Sequence, residues 1–292
     1  MNTRIRPFLL ALLAVALVAT ATAEGAADSK RLTRITHIHG LAVDPAAADH
    51  LLLATQRGFY RLAPDGLATL LSAGGREFTG FAAATGNRRL FASGKVYRGK
   101  EKLGIQRSDD AGASWRKIAD GAAGPVAFRR MAVSPSDPRL LYGLGLNLQV
   151  SRDGGATWAV VGPAPKSVLG MALAAGDEAV LYIASPRGLL GSSDGGKAWT
   201  PAYGGDSKKK IVATLITTTL EGRVFSYIRK QGLVVRQGAG AWRRLVAAKA
   251  FDGMLMRLVV DPRNAKHLFV VSQYMKIFES RDGGKTWSRY GL

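Results

Sequence analysis

The sequence predicts an all-β fold, a six-bladed β-propeller with four antiparallel strands per blade. Three observations carry that reading. All five tryptophans end copies of one octapeptide, at steps of 43, 41, 43 and 45 residues. A period of about 40–45 residues marks a repeat architecture. A second apolar phrase, strand–turn–strand in character, precedes each octapeptide. Four short strands per unit, repeated radially, bury their faces and leave only short edges exposed.

The octapeptide runs Ser108–Trp115, Ser151–Trp158, Ser192–Trp199 and Ser280–Trp287, with a worn copy at Val235–Trp242 that keeps Trp242 but lacks the Ser and Asp. Asp followed by Gly between two β-rich runs is a hairpin signal, because glycine accepts the positive φ of a tight turn. The carboxylates of Asp110, Asp153, Asp194 and Asp282 can accept backbone N–H groups just beyond them. The hydroxyls of Ser108, Ser151, Ser192 and Ser280 can do the same at the start of the turn. Trp115, Trp158, Trp199, Trp242 and Trp287 then open the next strand, each with a large apolar body suited to wedging neighbouring sheets apart.

The blades follow in order. Leu41-Ala-Val-Asp-Pro leads into Leu51-Leu-Leu-Ala-Thr, and Met131-Ala-Val-Ser-Pro into Leu140-Leu-Tyr-Gly. Met171-Ala-Leu-Ala leads into Val180-Leu-Tyr-Ile-Ala, and Leu258-Val-Val-Asp-Pro into His267-Leu-Phe-Val-Val. Phe81-Ala-Ala-Ala with Leu90-Phe-Ala-Ser, and Ile216-Thr-Thr-Thr with Val224-Phe-Ser-Tyr, are weaker versions. A third strand enters the octapeptide and a fourth leaves it at the Trp, so the octapeptide hairpins join strands three and four. The first unit has no octapeptide; Pro64-Asp-Gly66 supplies its turn. The blades are expected at about 34–72, 73–120, 121–163, 164–206, 207–248 and 249–292. An open solenoid is the alternative, and it would leave long edge strands unprotected. The C-terminal strand is expected to complete the last blade by itself, with residues 31–36 either adding an outer strand or reinforcing the seam.

The boxes match the Asp-box, or BNR repeat, S/T-x-D-x-G-x-T-W. The chain resembles sialidase-like and glycosyl hydrolase-like BNR proteins and the photosystem II stability/assembly factor family. The resemblance implies that the box is a structural turn away from the ligand face. The phrase His37-Ile-His-Gly-Leu resembles one in glycosyl hydrolase-like bacterial propellers.

Composition bounds the rest. A basic start, an apolar run from Phe8 to Val18 and Ala21-Thr-Ala23 read as a signal peptide over residues 1–23. Residues 24–33 read as a lead-in and 34–292 as one propeller domain. The apolar run is shorter than the ~20 residues of a membrane span. The chain is expected to be exported, to the periplasm rather than fully secreted. It has no cysteine, hence no disulfide, thiol chemistry or thiolate metal site. The formal charge of +20 falls to +18 once Arg4 and Arg6 leave with the signal segment. Such a charge favours an acidic protein or an anionic glycan or lipid surface as partner; export argues against nucleic acid. Association with a membrane would be peripheral, and the protein is expected to be a monomer.

In a propeller the first strand of each blade lines the central channel, so residues just before each repeated phrase converge at one mouth. These include His37, His39, Arg129, Arg130 and Arg257, which predicts an electropositive site. His37 and His39 are two apart, a spacing that places both on one face of a strand and admits a shared metal ion or anion; hydrogen bonding to carbonyls and water is the favoured reading. No other cofactor is expected.

Three functional classes remain. The favoured one is a non-catalytic binding or assembly scaffold for an anionic or protein partner at the channel mouth. A sialidase or other glycosidase is the alternative. Arg129, Arg130 and Arg257 could clamp a carboxylate, but hydrolysis needs a carboxylate pair about 5–9.5 Å apart. Only Glu77 with Asp252 or Asp44 offers one. The third is binding to an envelope polyanion or anionic membrane through charge alone, with Lys208–Lys210 and Arg229-Lys230 as the best patch. Walker, dinucleotide-binding and H-E-x-x-H patterns are absent.

Overall fold

The computed structural model describes residues 29–47, 49–72, 75–163, 165–204 and 211–291. The signal-peptide reading and the Lys208–Lys210 patch lie outside these residues. The described chain forms six antiparallel sheets, and its only helical segments are two 3-10 turns, Leu32–Arg34 and Ala248–Ala250.

Blade 1 holds β1 (Ser29–Arg31), β2 (Ile38–Val43), β3 (Leu51–Thr55), β4 (Gly58–Leu62) and β5 (Leu67–Ser72). Blade 2 holds β6 (Arg76–Ala83), β7 (Leu90–Val96), β8 (Lys102–Ser108) and β9 (Arg116–Ala119). Blade 3 holds β10 (Arg130–Val133), β11 (Leu141–Leu144), β12 (Asn147–Ser151) and β13 (Ala159–Pro163). Blade 4 holds β14 (Gly170–Leu173), β15 (Leu181–Ser185), β16 (Gly188–Ser192) and β17 (Thr200–Pro201). Blade 5 holds β18 (Ala213–Thr218), β19 (Arg223–Ile228), β20 (Gly232–Gln237) and β21 (Arg243–Ala247). Blade 6 holds β22 (Leu255–Asp261), β23 (Asn264–Ser272), β24 (Ile277–Ser280) and β25 (Ser288–Tyr290). The inner strands β2, β6, β10, β14, β18 and β22 pack side by side in that order, and β22 returns to β2. The sheets therefore encircle an axis, as the repeat predicts.

The apolar faces pack into six clusters, one in each wedge between consecutive blades. Each tryptophan leans on the blade before its own. Trp115 joins the wedge of blades 1 and 2, Trp158 that of 2 and 3, and Trp199 that of 3 and 4. Trp242 and Trp287 fill the next two. Blade 1 brings no tryptophan to the sixth wedge. Leu32 and Ile35 of the N-terminal segment fill it instead, together with Phe269, Ile277 and Tyr290 of blade 6. The same segment adds β1 to the outer edge of blade 1, pairing with β5.

The intact boxes share one set of ties, except that Ala198 in blade 4 has no hydroxyl to donate. In blade 3, Ser151 Oγ donates to Asp153 Oδ1 at 2.8 Å and accepts the N–H of Gly155 at 2.8 Å. Asp153 in turn accepts the N–H and hydroxyl of Thr157 at 2.9 and 2.5 Å. Trp158 Nε1 closes the loop on the Gly155 carbonyl at 2.9 Å. Gly155 has φ +91°, and a Cβ there would lie 2.9 Å from Ile118 of blade 2, so the box requires glycine twice over. In the worn copy, Trp242 Nε1 donates instead to Ala202 of blade 4, at 2.7 Å.

Candidate functional site

Strand direction sorts the loops onto two rims. The loops that begin each inner strand, and the turns between second and third strands, form one rim; the boxes lie on the other. Exposed cations occur on both rims, but most carboxylates lie on one. Arg57, Arg98, Lys100, Arg187, Arg229 and Lys230 are exposed on the strand-start rim. Of the described carboxylates only Glu77, Glu101, Asp120 and Asp252 belong to that rim, and the others lie at or near the box rim.

The channel mouth opens at the centre of the cationic rim as a cavity of about 120 Å³. Counting back one residue from each repeated apolar phrase gives Gly40, Gly80, Arg130, Gly170, Leu215 and Arg257. The two arginines thus occupy equivalent positions in blades 3 and 6, on opposite sides of a six-bladed ring. Each is anchored in the same way. Arg130 donates from Nε to the Leu169 carbonyl of blade 4 at 2.7 Å and from Nη1 to its own neighbour, the Arg129 carbonyl, at 2.6 Å. Arg257 donates from Nε to the His39 carbonyl of blade 1 at 2.8 Å and from Nη1 to the Met256 carbonyl at 2.6 Å. The residues that follow in each blade, Leu41, Phe81, Met131, Met171, Ile216 and Leu258, ring the axis as an apolar floor.

No carboxylate lines this cavity among the described residues. Burial, and then the neighbouring Arg130, lower the Arg257 guanidinium to about 9. Burial also lowers Arg130, with Arg129 adding to it. His39, which lines the cavity, is pushed down to about 4 by burial, then by Arg257, Arg130 and His37. At neutral pH it is an uncharged imidazole.

The other residues singled out in the sequence sit elsewhere. Arg129 is exposed and donates to the Gly145 carbonyl at 3.0 Å, outside the cavity. His37 precedes β2, exposed, with a left-handed φ of 57°. A register shift between Ile38 and Gly40 further interrupts the strand alternation expected of the histidine pair. The two rings stack with centroids 6.4 Å apart. Glu77 pairs with Lys95 at 3.6 Å and Asp252 with Lys276, neither on the cavity wall. Asp44 is fully buried at the box rim, accepting from Arg61 Nε and the Ala46 N–H.

Two features escaped sequence reasoning. The first is a cavity of about 140 Å³ lined by Lys30, Arg34, Arg57 and Tyr60. The second is a group of three side chains with metal-ligating chemistry, Asp49, His267 and Glu279, at the junction of blades 6 and 1. Arg281 already bridges its carboxylates, at 2.9 Å from Asp49 and 2.7 Å from Glu279. The first is built by the N-terminal segment folding against blade 1; the second depends on ring closure, which brings Asp49 beside His267 and Glu279.

The BNR/Asp-box repeat family model matches residues 278–289, the last box. No curated protein matches the chain. Among solved structures, a GH74 enzyme from Niastella koreensis is similar at 16% identity and a TM-score of 0.62, over 87% of this chain and 45% of that one. The chain thus spans under half the length of that enzyme. YCF48 bound to D1 peptide aligns at 13% identity and a TM-score of 0.54, over 92% of this chain and 86% of that one. A gluconolactonase from Xanthomonas campestris aligns at 15% identity and a TM-score of 0.63, over 88% and 90%. At these identities the likeness is one of fold, shared by enzymes and a peptide-bound propeller alike.

Proposed function

We propose that the protein is an exported, non-catalytic propeller that serves as a binding or assembly scaffold, taking an anionic partner at its channel mouth. The observation that carries this reading is a mouth with two arginines and no described carboxylate, at the centre of a rim from which most described acids are absent. Fixed positive groups above an apolar floor focus field into a concave site and raise the local concentration of acidic partners. Glycoside hydrolysis in its usual form needs an acid and a second carboxylate facing one bond. The candidate pair, Glu77 and Asp252, is committed to lysines outside the cavity. The fold likeness to YCF48, a propeller seen with a bound peptide, is compatible with a scaffold role.

The test is titration of a fluorescent polyglutamate peptide, with vesicles of anionic and neutral lipid as separate arms. Saturable peptide binding at low salt, fading as salt rises, is expected, because exposed charge contacts are screened beyond about 10 Å at 0.1 M. Charge reversal at Arg187, Arg229 and Lys230 should weaken it. Absence of peptide binding at low salt, or binding confined to anionic vesicles, would overturn the reading.

A further inference from the structure

We propose that the channel mouth is a built site for one tetrahedral oxyanion of the phosphate class, held on the ring axis between Arg130 and Arg257. The inference refines the binding role above by fixing the chemistry of the group that enters the mouth. It rests on the placement and tethering of two side chains.

Arg130 and Arg257 stand three blades apart in a ring of six, so their guanidinium groups approach the axis from opposite sides. Nε and Nη1 of each are spent on backbone carbonyls. These bonds hold the two planes still and leave Nη2 of each without a protein partner among the described residues. The glycines at the equivalent positions of blades 1, 2 and 4 leave the wall bare between them. Gly40 is also required by packing, since a Cβ there would lie 2.5 Å from Phe81. Two like charges facing one cavity repel, and burial of each costs further energy unless an anion joins them. With no described carboxylate on the wall, the anion must come from outside.

Geometry selects its shape. A carboxylate presents both oxygens on one side and suits a single guanidinium fork. A tetrahedral oxyanion presents oxygens in opposed directions and can accept from Arg130 and Arg257 together. His39, uncharged, adds a donor or acceptor at the wall. The apolar ring of Leu41, Phe81, Met131, Met171, Ile216 and Leu258 lowers the polarity beneath the ion and strengthens each contact. The cavity, of about 120 Å³, has room for one such ion.

The experiment is calorimetric titration of the full chain with inorganic phosphate, methyl phosphate and acetate, at an ionic strength held constant with chloride. One saturable phosphate site is expected, with acetate at least about tenfold weaker. Arg130→Gln and Arg257→Gln should each cost phosphate at least about tenfold in affinity, while Arg152→Gln on the box rim leaves it unchanged. Arg257 also ties blade 6 to blade 1, so Arg130→Gln, which leaves that seam intact, is the deciding variant; its thermal unfolding is measured alongside. Methyl phosphate binding as well as phosphate places a phosphomonoester within the site's range, and its exclusion restricts the site to the free ion; either result is consistent with the proposal once phosphate binds. No saturable phosphate heat, acetate binding equal to phosphate, or unchanged binding in a folded Arg130→Gln overturns it. Polyglutamate capture without phosphate binding preserves the scaffold reading and removes this one; phosphate binding without capture does the reverse.

Discussion

Arg257 donates from Nε to the backbone carbonyl of His39 at 2.8 Å, across 218 residues of sequence. Its counterpart is Arg130 to Leu169, 39 residues apart, at an ordinary junction inside the chain. The seam where the ring closes is therefore built like the junctions that peptide continuity helps to hold. Further ties replace that continuity. Arg263 reaches the carbonyls of Asp44 and Pro45 at 3.2 and 3.3 Å, Arg281 pairs with Asp49, and the Tyr290 hydroxyl donates to the Asp49 carbonyl.

Closure predicts the effect of Tyr290→Phe. The hydroxyl is buried in the sixth wedge, where burial, and then Glu279, push the phenol well above its ordinary range. Its removal takes the donor from the half-buried Asp49 carbonyl, at a cost of about 1 kcal/mol. Chemical denaturation should show that loss at an unchanged m-value. Unaltered stability would mean that the wedge is held by apolar contact alone.

The boxes predict an acid limb to stability. Hydrogen bonds from the Thr157 hydroxyl and N–H hold Asp153 down at about 2, against an ordinary 3.8. A carboxylate depressed by folding contributes stability that is present above the unfolded value and is lost as pH falls through the folded one. Between about pH 4 and 2 the wild type should lose stability that Asp153→Asn does not, when each is followed by urea denaturation across that range. Parallel curves for the two proteins would show that the carboxylate is not held by its turn.

The wedges predict what tryptophan removal does. Trp158 packs on Phe128 with ring centroids 5.1 Å apart in the junction of blades 2 and 3. Trp158→Ala should cost about 3 kcal/mol and lower Tm by roughly 10 °C, as read by calorimetry. A loss below about 1 kcal/mol would place the ring outside the load of the wedge.

Much of this architecture is legible in the residues because the box repeats in register. Ser, Asp, Gly and Trp at fixed offsets define the turn, and one tryptophan per unit locates each wedge. The apolar phrases, in register, also put Arg130 and Arg257 at equivalent positions. Their anchoring carbonyls are not legible, since Leu169 and His39 reach them only through the packing of neighbouring blades. The backbone at His37 is equally hidden: strand periodicity places it beside His39, but the chain turns through a positive φ there. Nor does Trp242 announce its new partner. With Ser and Asp gone from its box, its indole bonds across the wedge to Ala202.

That substitution gives the worn blade its own prediction. The Arg236 guanidinium lies 4.9 Å from the Trp242 ring centroid and 5.1 Å from that of Tyr182, and it donates to the Tyr182 hydroxyl at 2.7 Å. It fastens blade 5 to blade 4 in place of the missing box. Arg236→Met keeps much of the apolar stem and removes the cation–π contacts, worth about 1–2 kcal/mol in total. Thermal unfolding should register that loss, whereas Arg152→Met on an exposed ion pair should move stability by less than about 0.5 kcal/mol. Equal effects would deny Arg236 a fastening role.

His39 offers a pH signature of the mouth that is separable from the boxes. Its imidazole is pushed from 6.5 to about 4 by burial and then by the facing arginines. As pH falls below 6.5 the unfolded chain takes up this proton before the folded one does, so folding stability declines between 6.5 and about 4 and levels off below that. His39→Asn should flatten this part of the profile while leaving the lower limb, set by carboxylates such as Asp153, in place. An anion lodged between Arg130 and Arg257 offsets their charge and should raise the His39 value. Proton NMR of the His39 ring, titrated with and without phosphate, reads that shift directly. A His39 that titrates near 6.5 in the absence of phosphate would mean that the cavity is wetter than its lining implies, and with it the opposed arginines would lose most of their hold on an anion.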